Sequence, residues 1–333
     1  MKELLKKIVA GEPLAAEEIR GGFENILREE TRDSEIALFL TTLSTRGLDA
    51  DVLTEAARVL RERMIRVPLR VSGAIDTCGT GGDRSASFNF STGAALLAAA
   101  CGVPVAKHGN RAITSQSGSA DLLEALGIPF ELSPEEVAAA VEAQGFGFML
   151  APRYHPAAAR VQQIRRRLDT VTVFNFLGPL TNPAGVKRQV VGVFSSAMRP
   201  VLGEALRRLG VEKAWVVTSE SGLDEMSPSG PTYVTEVGPE SLVEKVVTPA
   251  DAGLRSSDPQ FLRGGDAAHN AKLLQGIFEK TFFGPIRDGL VLNAAAALVV
   301  AGRAADLKAG AVMAKDAIES GAAAEKLKLL REA

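Results

Sequence analysis

Cysteine is nearly absent: Cys78 and Cys101 are the only two in 333 residues. Two thiols in a chain of this length build neither a disulfide framework nor a cysteine metal cluster, and their apolar or glycine-rich surroundings fit a reducing compartment. An excess of one charge is also missing. The formal net charge is -2, with both signs spread along the chain, so there is no electrostatic footprint of a general nucleic-acid binder. Long hydrophobic runs are lacking too. The apolar stretches at 94–106 and 290–301 are interrupted or fall short of the roughly 20 residues that a membrane span needs. Residues 1–10 interleave Lys2, Glu3, Lys6 and Lys7 with apolar positions, the spacing of an amphipathic helix and not of a signal-peptide core. A cytoplasmic location, without membrane or nucleic-acid partners, is the expectation. Internal repeats and low-complexity tracts are also absent.

What is present is an ordinary globular composition, 46% hydrophobic and 23% charged, in a chain long enough for about two domains at roughly 150 residues each. Over residues 1–64 the apolar positions recur at helical spacing: Leu4, Leu5 and Ile8; Ile19, Phe23 and Ile26; Ile36, Phe39, Leu40 and Leu43; Val52, Leu53, Val59 and Leu60. Gly11, the charged cluster at 29–33 and Gly47 divide them into four short helices. After Pro68 the pattern changes to short β-rich runs alternating with alanine-rich helical ones, as in βαβ units. Strands are expected at 71–76, 103–107, 145–150, 189–194, 214–218 and 242–247. Ser133-Pro134-Glu135-Glu136 predicts a helix start, with a serine cap, proline at the first turn and a capping-box glutamate, and Gly145 lies just past the far end. The fold class is therefore α/β: a small N-terminal helical domain over 1–70, and a larger α/β domain over 71–333 whose mostly parallel central sheet is flanked by helices.

Four stretches carry residue types suited to chemistry. The first is Asp76-Thr77-Cys78-Gly79-Thr80-Gly81-Gly82-Asp83, followed by Ser87-Phe88-Asn89-Phe90-Ser91-Thr92 and a helical run. Loop N–H groups and a helix N-terminus would form an anion cradle. The dinucleotide and Walker spacings are both absent, and a glycine-rich loop alone is also what a structural turn looks like. The second, Lys107-His108-Gly109-Asn110-Arg111 with Thr114-Ser115-Gln116-Ser117-Gly118-Ser119, repeats the strand-loop-helix geometry with positive charge. The third is the adjacent carboxylate pair Asp224-Glu225, ordinary surface charge in many loops, but suited to magnesium when it faces a phosphate. The fourth is Arg165-Arg166-Arg167, of which helical spacing lets only one point into a site.

In order and spacing these stretches resemble the anthranilate phosphoribosyltransferase family. The likeness extends through Ser117 to Leu126, His155-Pro156-Ala157, Phe174 to Pro183, and Gly264-Gly265 with Asn270. It implies transfer of the 5-phosphoribosyl group from phosphoribosyl diphosphate to the amine of anthranilate, in tryptophan biosynthesis. Carried over by position, it places phosphoribosyl diphosphate against Gly79, Gly82, Asp83, Ser87, Asn89, Phe90, Ser91, Thr92, Lys107, His108, Gly109, Asn110, Arg111, Ala112, Ile113, Thr114, Ser115 and Ser119. It places Mg2+ on Ser91, Asp224 and Glu225, and anthranilate near Gly79, Asn110 and Arg165, with His108 and Pro152 lining its path. It also implies a homodimer joined through the helical domain, which helices from about 155–185 would complete. Arg84, Arg167, Asp169 and Val171 depart from the family pattern, the last three beside Arg165, so the acceptor side is where this chain could differ. Two other readings stand beside it: a pyrimidine nucleoside phosphorylase of the same fold type, and a non-catalytic paralogue that binds nucleic acid.

Overall fold

The computed structural model describes residues 1–82, 87–112 and 116–332. Four helices open the chain: α1 (Lys2–Ala10), α2 (Ala16–Ile26), α3 (Asp33–Arg46) and α4 (Ala50–Arg63). Each turns its apolar stripe inward, and Ile8, Phe23, Ile36, Phe39, Leu40 and Leu53 are buried. Phe23 and Phe39 meet edge to face at 5.3 Å. The ends are set locally: Gly11 closes α1 in the left-handed conformation, and the Asp49 carboxylate accepts Val52 N–H at 2.9 Å to start α4.

From residue 75 the chain alternates. β1 (Ile75–Gly79), α5 (Phe90–Ala100), β2 (Val105–Gly109), α6 (Ser119–Leu126), α7 (Pro134–Gln144) and β3 (Phe146–Leu150) come first. The short α8 (Ala151–Tyr154), α9 (Ala159–Leu168) and the short α10 (Phe174–Leu177) lead to β4 (Arg188–Gly192), α11 (Met198–Arg208) and β5 (Lys213–Ser219). β6 (Thr232–Val237) and β7 (Leu242–Val247) form a hairpin, and α12 (Ala267–Phe278), α13 (Pro285–Val300), α14 (Leu307–Glu319) and α15 (Ala322–Arg331) complete the chain. The predicted cap of α7 is present: Glu136 N–H reaches Ser133 Oγ at 3.3 Å, and Ser133 N–H reaches the Glu136 carboxylate at 2.7 Å.

The seven strands lie in one sheet in the order β3-β2-β1-β4-β5-β6-β7, parallel through β5 and antiparallel thereafter. Successive residues face opposite sides, so Val190, Trp215 and Val217 pack under α5 and α13, whereas Val191, Val193 and Val216 pack under the helical module. The second cluster also takes in Val161, Ile164, Phe174 and Leu177 of α9 and α10.

The structure corrects the sequence reading in three places. β6 was not expected at all. β1 and β2 lie a few residues later than the spans 71–76 and 103–107. As a result His108, like Lys107, belongs to β2 itself and not to the loop after it. The pleat then sends these two side chains to opposite faces of the sheet, which divides the site described next.

Candidate active site

Order 3-2-1-4-5 places a topological switch between β1 and β4, where crossovers depart in opposite directions and leave a crevice beyond the strands' C-terminal ends. The loops after β1, β2 and β5 all open there. Gly81 and Gly82 follow β1, Asn110, Arg111 and Ala112 follow β2, and Asp224-Glu225 follows β5. Asp83, Ile113, Thr114 and Ser115, along with Arg84, lie outside the described residues.

On the α5 side of the sheet the carboxylate pair meets the anion cradle. The Asp224 carboxylate accepts Gly81 N–H at 3.0 Å, and Glu225 accepts Ser91 N–H in the first turn of α5, also at 3.0 Å. Such close approach needs glycine. A Cβ on Gly79 would lie 2.8 Å from Asp224 Oδ2, and one on Gly192 would lie 1.5 Å from Asp224 O. Lys107 reaches up from below. Its ammonium is fully buried, donates to Thr77 O and stands 3.5 Å from Ser91 Oγ. Burial pulls its pKa down, while Asp76 and Glu225 pull it back up. The predicted ligands Ser91, Asp224, Glu225 and Lys107 are thus gathered around the start of one helix.

Not every expected residue points a side chain there. Phe90 is fully buried against Gly289 and Phe88, so only its backbone faces the crevice. Arg111 turns back onto α6, pairing with Asp121 at 2.9 Å and Glu124 at 2.7 Å. Thr92 is fully buried in α5, and the Ser87 backbone forms an isolated bridge with Arg263. Asn89 is held in place: it donates to Ser117 O at 2.9 Å and accepts Asn270 Nδ2–H at 2.8 Å. Ser119 opens α6 with its Cβ 3.0 Å from where a Gly109 Cβ would stand.

The opposite face carries a different set of groups, collected by the segment from Phe174 to Asn182. Asn175 Oδ1 accepts Arg165 Nη2–H at 3.0 Å, Gly178 O lies 3.1 Å from His108 Nδ1, and the Thr181 backbone faces His155. A carbonyl oxygen only accepts, so His108 Nδ1 carries the proton and Nε2 is left as an acceptor. The two imidazoles lie 5.1 Å apart, and burial pushes His108 down to about 3 and His155 to about 4, so both are neutral at pH 7. Arg165 is the member of its run that turns inward, over the Phe174 ring, whereas Arg166 and Arg167 are exposed. Among the described residues Arg165 has no carboxylate partner, and its Nε, like Nε2 of both histidines, is buried without a hydrogen bond. Burial lowers its pKa to about 10. A half-buried guanidinium without a carboxylate partner among the described residues, its Nε unused, on the same face as two imidazole Nε2 atoms that are also unused, is a receptor for a small anion that also carries polar hydrogens.

Asp76, His155 and Asn182 lie in stretches that stood out in the sequence, but their roles as supports of this face, His155 as a partner of His108 among them, were not anticipated. The Asp76 carboxylate is fully buried, accepting Asn182 Nδ2–H at 2.8 Å and His108 N–H at 3.2 Å. Burial raises it to about 6 against the pull of Lys107.

Comparison with known proteins agrees with this geometry. Residues 72–324 match the model described as "Glycosyl transferase family, a/b domain", and residues 2–64 match its "helical bundle domain". The anthranilate phosphoribosyltransferase of a Bradyrhizobium species is 46% identical over 330 residues, covering 99% of this chain and 97% of that one. The chain belongs to the anthranilate phosphoribosyltransferase family. The family member from Rubrobacter xylanophilus is also 46% identical, over 97% of this chain and 94% of its own. Among solved structures, the anthranilate phosphoribosyltransferase of Thermus thermophilus superposes with a TM-score of 0.93 at 40% identity, covering 99% of this chain and 98% of its own. The Saccharomyces cerevisiae enzyme, solved in complex with PRPP and Mg, gives 0.90 at 27% identity over 99% and 96% of the two chains. The same yeast enzyme has been solved in complex with 4-fluoroanthranilate, with a TM-score of 0.88 at 27% identity and the same coverage. These relatives leave the nucleoside phosphorylase and nucleic-acid-binding readings without support.

Proposed function

We propose that this chain joins the ribose C1 of phosphoribosyl diphosphate to the amine of anthranilate, releasing diphosphate. The carrying observation is the half-buried Arg165 guanidinium, which lacks a carboxylate partner among the described residues and lies with two neutral imidazoles on the face of the sheet opposite the carboxylate pair. Anthranilate fits this receptor chemically: its carboxylate suits the fork of Arg165, and its amine hydrogens suit an imidazole acceptor such as His108 Nε2. Gly79, Asn110 and Pro152 belong to the same acceptor side by resemblance.

On the other face, the start of α5 and the Lys107 ammonium supply the positive field for a diphosphate, while the Gly81 and Ser91 N–H groups hold the Asp224 and Glu225 carboxylates beside it. Ser91, Asp224 and Glu225 present only oxygen donors with two carboxylates, the sparse hard set that suits Mg2+ shared with a phosphate ligand. When bound, Mg2+ would neutralise charge on the departing diphosphate. Nitrogen attacks C1 as the C1–O bond breaks, the electron pair leaves with diphosphate, and the amine gives up a proton. An aromatic amine is neutral near pH 7, so no strong base is required, and an imidazole titrating near 3 is a poor one. The site thus works by orientation and charge placement.

A cytoplasmic homodimer belongs to the same reading. The helical module, taken over 1–70 with the helices of about 155–185, exposes Val9 and Leu38 and provides apolar surface for such a contact. The acceptor assignment is tested by Arg165→Ala. Its KM for anthranilate is expected to rise roughly 30-fold, about 2 kcal/mol, with the KM for phosphoribosyl diphosphate unchanged. An unaltered KM for anthranilate would remove Arg165 from the acceptor site.

A further inference from the structure

The turn that carries Asp224 and Glu225 is gripped at both ends. At its start, Ser219 accepts Leu223 N–H on its hydroxyl at 2.9 Å and gives its own N–H to Leu223 O at 3.0 Å. At its end, the side chain of Asn293 accepts Met226 N–H at 3.1 Å and donates to Met226 O at 2.8 Å. The second N–H of the Asn293 amide goes to Gly289 O at 2.8 Å. The third contact is β4, whose Gly192 leaves no room for a side chain beside the Asp224 carbonyl.

Asn293 is out of keeping with its surroundings. It is buried in α13 within the run Gly289-Leu290-Val291-Leu292-Asn293-Ala294-Ala295, where every neighbour along the helix is apolar. A buried amide there is costly to desolvate and a poorer helix former than alanine. Its hydrogen bonds offset that cost, and two of the three go to a single peptide segment about 70 residues away in sequence. The Met226 N–H lies in the peptide plane that begins at the Glu225 carbonyl. Met226 O lies in the next plane, so holding both atoms fixes φ and ψ of Met226 and orients the peptide plane through which Glu225, and Asp224 before it, join the clamp.

We propose that Asn293 is a positioning residue for the carboxylate pair: its amide clamps Met226 and so aims Asp224 and Glu225 at the crevice. The inference rests on the reading of that pair as the Mg2+ site. It does not place Asn293 in contact with metal or substrate. A partner that orients metal-binding carboxylates from behind affects metal affinity by about 10-fold or more when removed.

Calorimetric titration of the full chain with phosphoribosyl diphosphate, repeated over a series of Mg2+ concentrations and without anthranilate, reads this separately from turnover. Asn293→Ala is expected to raise the Mg2+ concentration at half-maximal affinity by about 10-fold, while affinity without Mg2+ and the KM for anthranilate at saturating Mg2+ stay within about twofold. A folded variant whose Mg2+ half-point moves by less than about twofold overturns the inference, as does an equal loss of affinity with and without Mg2+, which would indicate general damage to the site. Should the alanine variant fail to fold, Asn293→Asp decides by the same thresholds, since it keeps the volume and the acceptor but loses the N–H donated to Met226 O. The doubly substituted Asp224→Ala, Glu225→Ala chain separates the two readings. If it keeps wild-type Mg2+ dependence, the metal assignment fails; if it loses that dependence while Asn293→Ala changes nothing, only the clamp fails.

Discussion

Two imidazoles and a carboxylate inside one protein respond to acid in opposite directions. His108 and His155 titrate near 3 and 4 in the folded chain, below the ordinary 6.5. As pH falls below about 6.5 the unfolded chain therefore takes up protons that the folded chain refuses, and stability is lost. Asp76, raised from 3.8 to about 6, does the reverse between those values, because the folded chain holds its proton longer. Two groups outweigh one. The melting midpoint of the wild-type chain should fall between about pH 6.5 and pH 4.5, and a His108→Asn, His155→Asn chain should show a smaller fall over that window. Parallel pH profiles for the two chains would mean that these rings titrate normally in the fold. The choice among Arg165, Arg166 and Arg167 shows how legible this scale was in sequence. Helical spacing allowed only one to face inward, but not which. The cap of α9 then sharpens the local picture, since Asp169 adopts φ 46°, a left-handed backbone that glycine holds more easily. That position is one of the departures from the family pattern, and Val171, another, is exposed.

At the scale of elements, the anion-binding loops were legible because their chemistry is concentrated in short runs at strand ends, where glycine, hydroxyl and charge stand out. The segment from Phe174 to Pro183 stood out as a run, but not its role of collecting Arg165, His108 and His155, and Asn293 is visible as a polar residue in an apolar helix, but not what it grips. Both roles are contacts with residues distant in sequence. β6 escaped notice for another reason. Thr232-Tyr233-Val234-Thr235-Glu236-Val237 follows a stretch of serine, glycine and proline, and half its residues are polar, although Thr232 and Thr235 are buried in the sheet. The contact between β4 and the carboxylate turn gives an element-level test. Gly192→Ala would place a methyl group where Asp224 O now lies, and is expected to destabilise the chain by about 3 kcal/mol or to displace the turn. Gly21→Ala, in α2 with nothing within 4 Å of the new carbon, should instead be neutral or stabilising by about 0.5–1 kcal/mol. Thermal melts of the two variants side by side check both, and equal midpoints would show that the turn yields freely.

For the whole molecule, the sheet acts as a partition. Alternation along β1 and β2 sends Thr77 and Lys107 towards α5 and the carboxylates, and Asp76 and His108 towards Asn182, Gly178 and His155. A donor of negative charge and an acceptor amine can therefore be held by different sets of groups and meet only at the strand ends, where Gly79 and Gly109 finish their strands. No helix among the described residues is long and apolar enough to cross a membrane, and the two packed faces of the sheet account for the two largest apolar clusters. The most direct test mixes the purified chain with phosphoribosyl diphosphate, Mg2+ and anthranilate and follows loss of anthranilate fluorescence, with and without EDTA. Consumption that depends on both Mg2+ and phosphoribosyl diphosphate is the predicted result. Persistence of the fluorescence, in a chain shown to bind phosphoribosyl diphosphate, would contradict the acceptor assignment and point to a different amine at Arg165.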